Sequence, residues 1–122
     1  MAKQQTDFNV DQGSDFEFDV TLLDDNDDPV DVSTSLIIGH IRKNISSKDI
    51  LAEFQFIPID LTAGKFTLFL DAITTSQFPC GLANSPFRTI TQFAYDVEVH
   101  DQDGRVTRIL EGVLNVSPGV TR

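Results

Sequence analysis

Residues 15–22, Asp-Phe-Glu-Phe-Asp-Val-Thr-Leu, decide the fold class of this chain. Acidic or polar side chains alternate with apolar ones throughout the stretch, so that Phe16, Phe18, Val20 and Leu22 share one face of an extended segment. A period of two residues is typical of a β-strand with one buried face and one face in water. The stretch therefore predicts a strand that covers a core on one side only.

Similar segments follow along the chain and are separated by turn signals. The predicted further strands are residues 36–43, 50–56, 65–70, 93–99 and 106–116. Pro58 is expected to mark an edge or an exit, because proline cannot donate to a sheet ladder. The Asp103-Gly104 pair is a strong hairpin signal, and a bulge is expected near Gly112. Six or seven short strands with turns every eight to twelve residues predict an all-β, antiparallel β-sandwich.

Three segments interrupt this pattern. Residues 1–14 are polar except for a few isolated apolar side chains and predict an N-terminal arm, which leaves residues 15–122 as the sandwich domain. Residues 71–78 lose the alternation and begin with a capping aspartate, which predicts one short helical turn. Residues 79–91 are rich in Pro, Gly and Ser and predict a long irregular loop.

Length and charge narrow the classes of function. The chain has 122 residues, which fits one domain, and it carries 19 acidic against 9 basic residues, for a net charge of −10. This balance argues against a grip on nucleic acid and against docking on an anionic membrane. Cys80 is the only cysteine, the first residues lack the apolar core of a signal peptide, and no apolar run is long enough to span a bilayer. We expect a protein that is made and kept in a reducing compartment.

The sequence has no motif that is typical of an enzyme or a metal site. The acidic turn Asp24-x-Asn26-x-Asp28 matches the opening of a calcium loop, but Pro29 stands where that loop needs glycine and Ser35 where it needs glutamate. His40, His100 and Cys80 do not have metal-ligand spacing, and no serine or cysteine has the setting of a nucleophile. We therefore predict no catalytic residue, no metal and no cofactor.

A protein without such a site must act through its surface. The candidate interface residues are apolar or basic side chains in three segments that offer no obvious core. These segments are the arm, the 79–91 loop together with the residue before it, and the C-terminal end. The candidate residues are Phe8, Val10, Phe78, Leu82, Phe87, Arg88, Val120 and Arg122. For Leu82 and Phe87 an alternative stays open, in which both side chains tuck the loop down on the sandwich.

A series of short motifs, in one order, carries a resemblance to a known family. They are Gly13-Ser14-Asp15-Phe16, Pro29-Val30-Asp31-Val32-Ser33, Ile41-Arg42-Lys43, Gly64-Lys65-Phe66-Thr67-Leu68, Phe93-Ala94-Tyr95-Asp96-Val97-Glu98-Val99, Asp103-Gly104-Arg105-Val106-Thr107-Arg108, Leu110-Glu111-Gly112 and Val120-Thr121-Arg122. This series resembles small virion structural proteins of tailed bacteriophages and is similar to the immunoglobulin-like modules attached to phage baseplates. The likeness spans residues 13–122 and departs from the pattern at residues 79–91, where a tighter connection is usual.

The resemblance implies an immunoglobulin-like sandwich that is a non-enzymatic part of the virion, assembled in the host cytoplasm and present in several copies. Its expected partners are other virion proteins and further copies of itself, not nucleic acid or membrane. A tail, neck or baseplate subunit is the leading interpretation, and a capsid decoration (cement) protein is the alternative. A soluble carbohydrate- or peptide-binding sandwich is the alternative from another class.

Overall fold

The described residues of this computed structural model, 4–80 and 89–119, form nine β-strands and one short helix. The strands are β1 (Gln4–Gln5), β2 (Phe8–Asp11), β3 (Phe16–Thr21), β4 (Leu36–Arg42), β5 (Ala52–Glu53), β6 (Gln55–Asp60), β7 (Lys65–Leu70), β8 (Thr91–His100) and β9 (Val106–Ser117). The helix α1 spans Ala72–Ser76, and a 3-10 turn spans Leu61–Ala63. The predicted all-β sandwich is confirmed, with more strands than the six or seven expected.

The strands are divided between two sheets. The larger sheet has the order β1-β9-β8-β4-β5, with β2 also paired to β9, and the smaller has the order β3-β7-β6. All pairs are antiparallel except β1 and β2 with β9, which are parallel. The inner faces of both sheets supply the core, and alternation is cleanest on β8, where Phe93, Tyr95, Val97 and Val99 are buried.

The N-terminal segment corrects the expectation of a separate arm. Strand β1 pairs with β9 at Leu110 and Glu111, and β2 continues the pairing from Leu114 to Ser117. Phe8 and Val10 alternate into the core with 4% and 1% of their surface exposed. Without these strands, the long β9 would have an open edge and the core an open side. Residues 4–11 are therefore part of the sandwich.

The predicted strand at residues 50–56 is in fact two strands that lie in different sheets. Strand β5 pairs with β4 in the larger sheet, and β6 pairs with β7 in the smaller one. Phe54 lies between them, buried, and its N–H donates to the carbonyl of Gly39 at 2.9 Å. Pro58 lies on the edge strand β6, beside a register shift between Pro58 and Asp60, which agrees with its expected edge position.

Strand β9 contains a bulge, but not at Gly112. The register with β8 shifts so that Ile109 is the extra residue, and both Ile109 and Leu110 are buried as a result. Gly112 has a different role, because a Cβ atom there would lie 2.1 Å from the carbonyl oxygen of Thr6. The N-terminal segment can lie this close to β9 only because residue 112 has no side chain.

Helix α1 confirms the predicted helical turn. The carboxylate of Asp71 accepts a hydrogen bond from the N–H of Thr74 at 2.7 Å, and the hydrogen bonds from Thr74 lower the pKa of Asp71. The buried hydroxyl of Thr75 donates to the carbonyl of Ser14 at 2.8 Å, which ties α1 to the turn before β3. Among the described residues, no helix is long and apolar enough to cross a membrane.

Candidate functional site

The outer face of the larger sheet contains a recess of about 450 Å³. It forms because alternate residues of β8 point away from the core, and one of them, Ala94, is small. Neighbouring positions on β4 and β9 supply the walls. The lining residues are Gln5, His40, Arg42, Asn44, Ile45, Ala94, Tyr95, Asp96, Arg108, Glu111, Gly112 and Val113.

Register explains why residues so distant in sequence meet in the recess. Asp96 of β8 pairs with His40 of β4 on one side and with Glu111 of β9 on the other. Across a sheet, residues in register point to the same face, about 5 Å apart. The bulge at Ile109 then returns Arg108 to the outer face, where it reaches both acidic residues.

Arg108 is the centre of an ion-pair network in the recess. Its Nε lies 3.3 Å from Oδ2 of Asp96, and its Nη1 lies 3.5 Å from Oε2 of Glu111. On the β4 side of the recess, Nε2 of His40 lies 3.8 Å from Oε1 of Glu53. These side chains are partly exposed, so the pairs contribute little to stability, and their arrangement is open to a partner's polar groups.

Burial dominates the electrostatics of Asp96. It raises the pKa of this carboxyl, and Glu98 adds to that rise, while Arg108, His40 and Arg42 oppose it. Asp96 thus stands beside three basic side chains and still lacks full solvation. A group in this position gains from any further donor that a partner supplies.

The β4–β5 loop forms one lip of the recess. Arg42 Nη1 donates to the carbonyl of Lys48 at 2.6 Å, which holds the ends of the loop together. Ile45 within it is 94% exposed, although it lines the recess. Ile45 therefore places one exposed aliphatic group at the lip of a recess whose lining is otherwise mainly polar.

The N-terminal segment packs beside β9, at the side of the recess opposite the β4–β5 loop. The hydroxyl of Tyr95 donates to the carbonyl of Thr6, directly over Gly112, and the carboxylate of Asp7 accepts from the N–H of Val113 at 3.0 Å. Burial raises the pKa of Tyr95, and the charges of Asp7 and Glu111 raise it further. The neutral phenol of Tyr95 therefore donates a hydrogen bond that holds the N-terminal segment against β9 at the base of the recess.

The recess is nearly balanced in charge. Its lining includes two arginines and two carboxylates, together with donors and acceptors from Gln5, Asn44 and His40. Such a set suits a surface that carries both hydrogen-bond donors and acceptors, rather than a strongly charged ligand.

None of the three predicted interface residues that the structure describes lies in this site. Phe8, Val10 and Phe78 were expected to be exposed anchors, and this expectation is wrong, since each is at most 4% exposed and belongs to the core. The ring of Phe8 contacts those of Phe18 and Tyr95, with centroids 4.6 and 4.8 Å apart, and the ring of Phe78 contacts that of Phe93 at 5.6 Å. Segments without an obvious core in the sequence can still fill one that distant strands create. The remaining five, Leu82, Phe87, Arg88, Val120 and Arg122, lie outside the described residues.

The recess itself was missed as a site, although the sequence motifs contained a signal. Seven of the twelve lining residues belong to motifs that carry the resemblance to virion proteins. They are Arg42, Ala94, Tyr95, Asp96, Arg108, Glu111 and Gly112. The other motif members within the described part of the chain mostly lie in turns or in the core, as do Gly64 and Val97. Convergence of the polar motif residues on one face could be recognised only once the register was known.

The acidic turn after β3 is a hairpin held by its own side chain. Oδ1 of Asp24 accepts from the N–H groups of Asn26 at 2.8 Å and of Asp28 at 3.0 Å, and Asp27 has a φ of 61°. Within residues 4–80 and 89–119, no three His, Cys, Asp or Glu side chains are grouped as metal ligands.

Neither the known family models nor the curated proteins include a match to this chain.

Proposed function

We propose that this chain is a non-enzymatic structural component of a tailed-phage virion, a tail, neck or baseplate subunit that acts through protein–protein contacts. One observation carries the proposal. Four polar residues from four of the resembling motifs, Arg42, Asp96, Arg108 and Glu111, meet in one recess on the outer face of the larger sheet. In a module whose work is adhesion, a motif residue that does not build the fold is expected to lie on a docking face.

The chemistry of the recess favours a protein partner. Partly exposed ion pairs such as Arg108 with Asp96 add little to the stability of the free chain, but they can exchange with donors and acceptors across an interface and so set its register. The exposed Ile45 at the lip would supply apolar contact beside them. Together these are the parts of an interface with a polar recess and an apolar anchor.

The net charge of the chain also fits a virion subunit that has to stay soluble before it is assembled. A net charge of −10 on 122 residues keeps free subunits apart until a specific surface is met. The contacts that hold the subunit in a particle then have to come from places where this charge is locally balanced, and the recess is one such place.

One observation favours a second candidate function. A recess of about 450 Å³ is within the range of small-molecule sites, and its lining of Asn, Gln, Asp, Glu and Arg side chains could hydrogen-bond a sugar or a peptide. A carbohydrate- or peptide-binding module would, however, gain most from an exposed aromatic ring, and the one tyrosine in the recess is 4% exposed.

The experiment that tests the proposal follows the chain into particles. Phage carrying the Arg108→Glu variant would be separated into heads and tails, and the chain quantified by mass spectrometry in each fraction. We expect the wild-type chain at a fixed copy ratio in the tail fraction and the variant reduced at least tenfold there. Arg105→Glu is the matched control, because Arg105 is exposed on the β8–β9 hairpin and does not line the recess.

Each other result would have a definite meaning. Enrichment in heads would make the chain a capsid decoration protein. Absence from particles would overturn the virion proposal, and calorimetric titration with sugars and peptides would then test the binding-module function. Equal incorporation of both variants would remove the recess as the docking face. Circular dichroism of each purified variant guards against unfolding.

A further inference from the structure

Strand β3 forms an open edge of the smaller sheet. It pairs with β7 on one side, and no strand among the described residues pairs with it on the other. The N–H of Leu22 donates to the carbonyl of Gly64 at 2.9 Å, which fixes the phase of the ladder between β3 and β7. Because hydrogen bonding alternates along an antiparallel pair, every second residue of β3 directs its N–H and C=O groups away from β7. These residues are Glu17, Asp19 and Thr21.

The outward backbone groups of these three residues are free. In the described part of the chain, no backbone or side-chain group forms a hydrogen bond with the N–H or C=O of Glu17, Asp19 or Thr21. All three residues are also exposed. A row of free donors and acceptors at the edge of a sheet is the arrangement to which a strand of another chain can be added.

A cleft of about 270 Å³ runs beside this edge. Residues 18–23 line it on one side, and Gln4 of β1 with Ile109 and Leu110 of β9 line it on the other. Since the side chains of a strand alternate between its two faces, a cavity that touches consecutive residues lies along the edge of the strand. Two apolar side chains in the cleft remain in contact with water, since Leu23 is 42% exposed and Phe18 is only partly buried. An added strand would cover both.

The two faces of β3 require different side chains in that added strand. Phe16, Phe18 and Val20 point toward the core, whereas Glu17 and Asp19 lie on the outer face. Residues that pair across a sheet point to the same face, so alternate side chains of the added strand would enter the cleft and the others would lie beside the two carboxylates. Aliphatic side chains suit the first position, and Lys or Arg side chains suit the second.

We propose that the open edge of β3 and the adjoining cleft, together called the β3 edge site, accept an extended segment of a partner protein in which aliphatic and basic residues alternate. Main-chain hydrogen bonds to β3 would supply the affinity, and the alternating side chains the specificity. Because β3 has 6 residues, a segment of about six residues, roughly 20 Å long, would pair along its full length.

The neighbouring charges leave room for basic side chains from a partner. Lys65 is the one basic residue of β7, and it pairs with Thr21 at the end of β3 rather than with either carboxylate. Within the described residues, no ion pair joins Glu17 or Asp19 to a basic side chain. A Lys or Arg of the added strand would therefore be the first cation that these two carboxylates meet.

A second copy of this chain does not fit the site. Pairing of two β3 edges about a two-fold axis would bring the acidic rows of both chains together, and like charges across a strand pair are destabilising. The net charge of −10 on each chain adds to this repulsion. The acids that suit a basic segment therefore also exclude the chain itself, and such repulsion is a common source of specificity.

Isothermal titration calorimetry of the purified chain with synthetic peptides tests the proposal. The probe is a capped peptide of about seven residues in which lysine and valine alternate, and the control peptide has the same residues in two separate blocks. We expect the alternating peptide to bind at concentrations up to about 1 mM and the block peptide to bind at least tenfold more weakly. No binding of the alternating peptide at about 1 mM would overturn the proposal.

A pair of variants tests the role of the two carboxylates. Glu17→Gln/Asp19→Asn removes both charges and leaves an oxygen at residue 19 to accept the hydrogen bond from the Thr67 hydroxyl, which is 2.8 Å long in the wild type. We expect it to bind the alternating peptide at least tenfold more weakly. Asp49→Asn/Asp103→Asn is the matched control, because it removes two exposed acids outside the site and should bind as the wild type does. Equal weakening by both pairs would mean general charge attraction and would overturn the proposal.

Amide hydrogen exchange followed by NMR tests strand addition without any variant. The amides of Glu17, Asp19 and Thr21 should exchange rapidly in the free chain and at least tenfold more slowly with the alternating peptide bound. Peptide binding without this protection would contradict strand addition. Amides that are already protected in the free chain would mean that a second copy or another segment of the chain covers the edge, which would also overturn the proposal. The measurements use the free chain in solution, so their failure leaves the virion proposal untouched.

Discussion

Tyr95 is the residue at which the core, the N-terminal segment and the recess meet. Burial raises its pKa above the ordinary value of 10.0, and the nearby charges of Asp7 and Glu111 act in the same direction. Because the folded chain holds the phenol proton more tightly than the unfolded chain, the resulting stability is fully present below pH 10 and is lost as the pH rises above it. We predict that unfolding at alkaline pH is driven in part by ionisation of Tyr95.

The chain makes this prediction simple to measure, because it has one tyrosine and no tryptophan. In an alkaline titration, the phenolate absorbance should appear together with the loss of the β-sheet circular dichroism signal. The Tyr95→Phe variant should be less stable at neutral pH, by about 1–3 kcal/mol for the unpaired carbonyl of Thr6, yet lose less stability above pH 10. Phenolate formation at pH 10 with the sheet intact would contradict the argument.

Gly112 illustrates what a sequence can and cannot tell about one residue. A glycine inside a predicted strand indicates either a bulge or a close backbone approach. The sequence favoured the bulge, whereas the structure has the bulge at Ile109 and uses Gly112 for the approach of Thr6. The second reason depends on a segment more than a hundred positions away, which local pattern cannot reveal.

At the scale of elements, the N-terminal strands lead to the next prediction. Phe8 of β2 is 4% exposed, and its ring contacts those of Phe16, Phe18 and Tyr95 with centroids 4.6–5.2 Å apart. We expect Phe8→Ala to lower the free energy of unfolding by about 3–5 kcal/mol, as large-to-small core substitutions do. Urea unfolding followed by circular dichroism measures this. Leu36→Ala, at a position 57% exposed, should stay within about 0.5 kcal/mol of the wild type.

Because β1 and β2 are part of the sandwich, deletion of the N-terminal segment should destabilise the whole domain. Deletion of residues 1–12 removes β1 and β2 with Phe8 and Val10, so the shortened chain is expected to unfold or aggregate rather than remain a folded domain without its arm. A truncated chain with undiminished stability would show that these strands are accessory.

Elements differed in how far the sequence could predict them. Strands β3 and β8 have long alternation and one wet face, and both were predicted. Strand β2 is short, and Phe8 and Val10 are the only apolar residues in it, so its alternation is a weak signal. Its parallel partner β9 begins almost a hundred residues later. The change of sheet at Phe54 leaves the alternation unbroken. The recess was not predictable for a related reason, since a polar residue such as Asp96 on a wet face has no distinctive local pattern and becomes a site only through register.

At the scale of the whole molecule, charge is concentrated at one end of the sandwich. The β3–β4, β6–β7 and β8–β9 loops meet there, as the hydrogen bonds from Ser35 Oγ to Asp101 at 3.0 Å and from Val32 N–H to the Leu61 carbonyl at 2.9 Å show. The acids in and beside these loops are Asp24, Asp25, Asp27, Asp28, Asp31, Asp60, Asp101 and Asp103. Only Lys65 and Arg105 oppose them. This end should therefore repel itself and lower the stability of the free chain.

The last prediction follows from that repulsion. Raising the salt concentration from about 0.01 to about 0.5 M shortens the Debye length from about 30 Å to under 10 Å, so the melting temperature of the wild type should rise. Asp28→Asn should raise it at low salt by about 2 °C and reduce its dependence on salt. Asp49→Asn is the matched control, because Asp49 follows Lys48 directly and lies outside these three loops, so the loss of its charge should not stabilise the chain. Differential scanning calorimetry at both salt concentrations measures all three chains. Equal effects of the two substitutions would mean that repulsion is spread over the whole surface instead of being concentrated at this end.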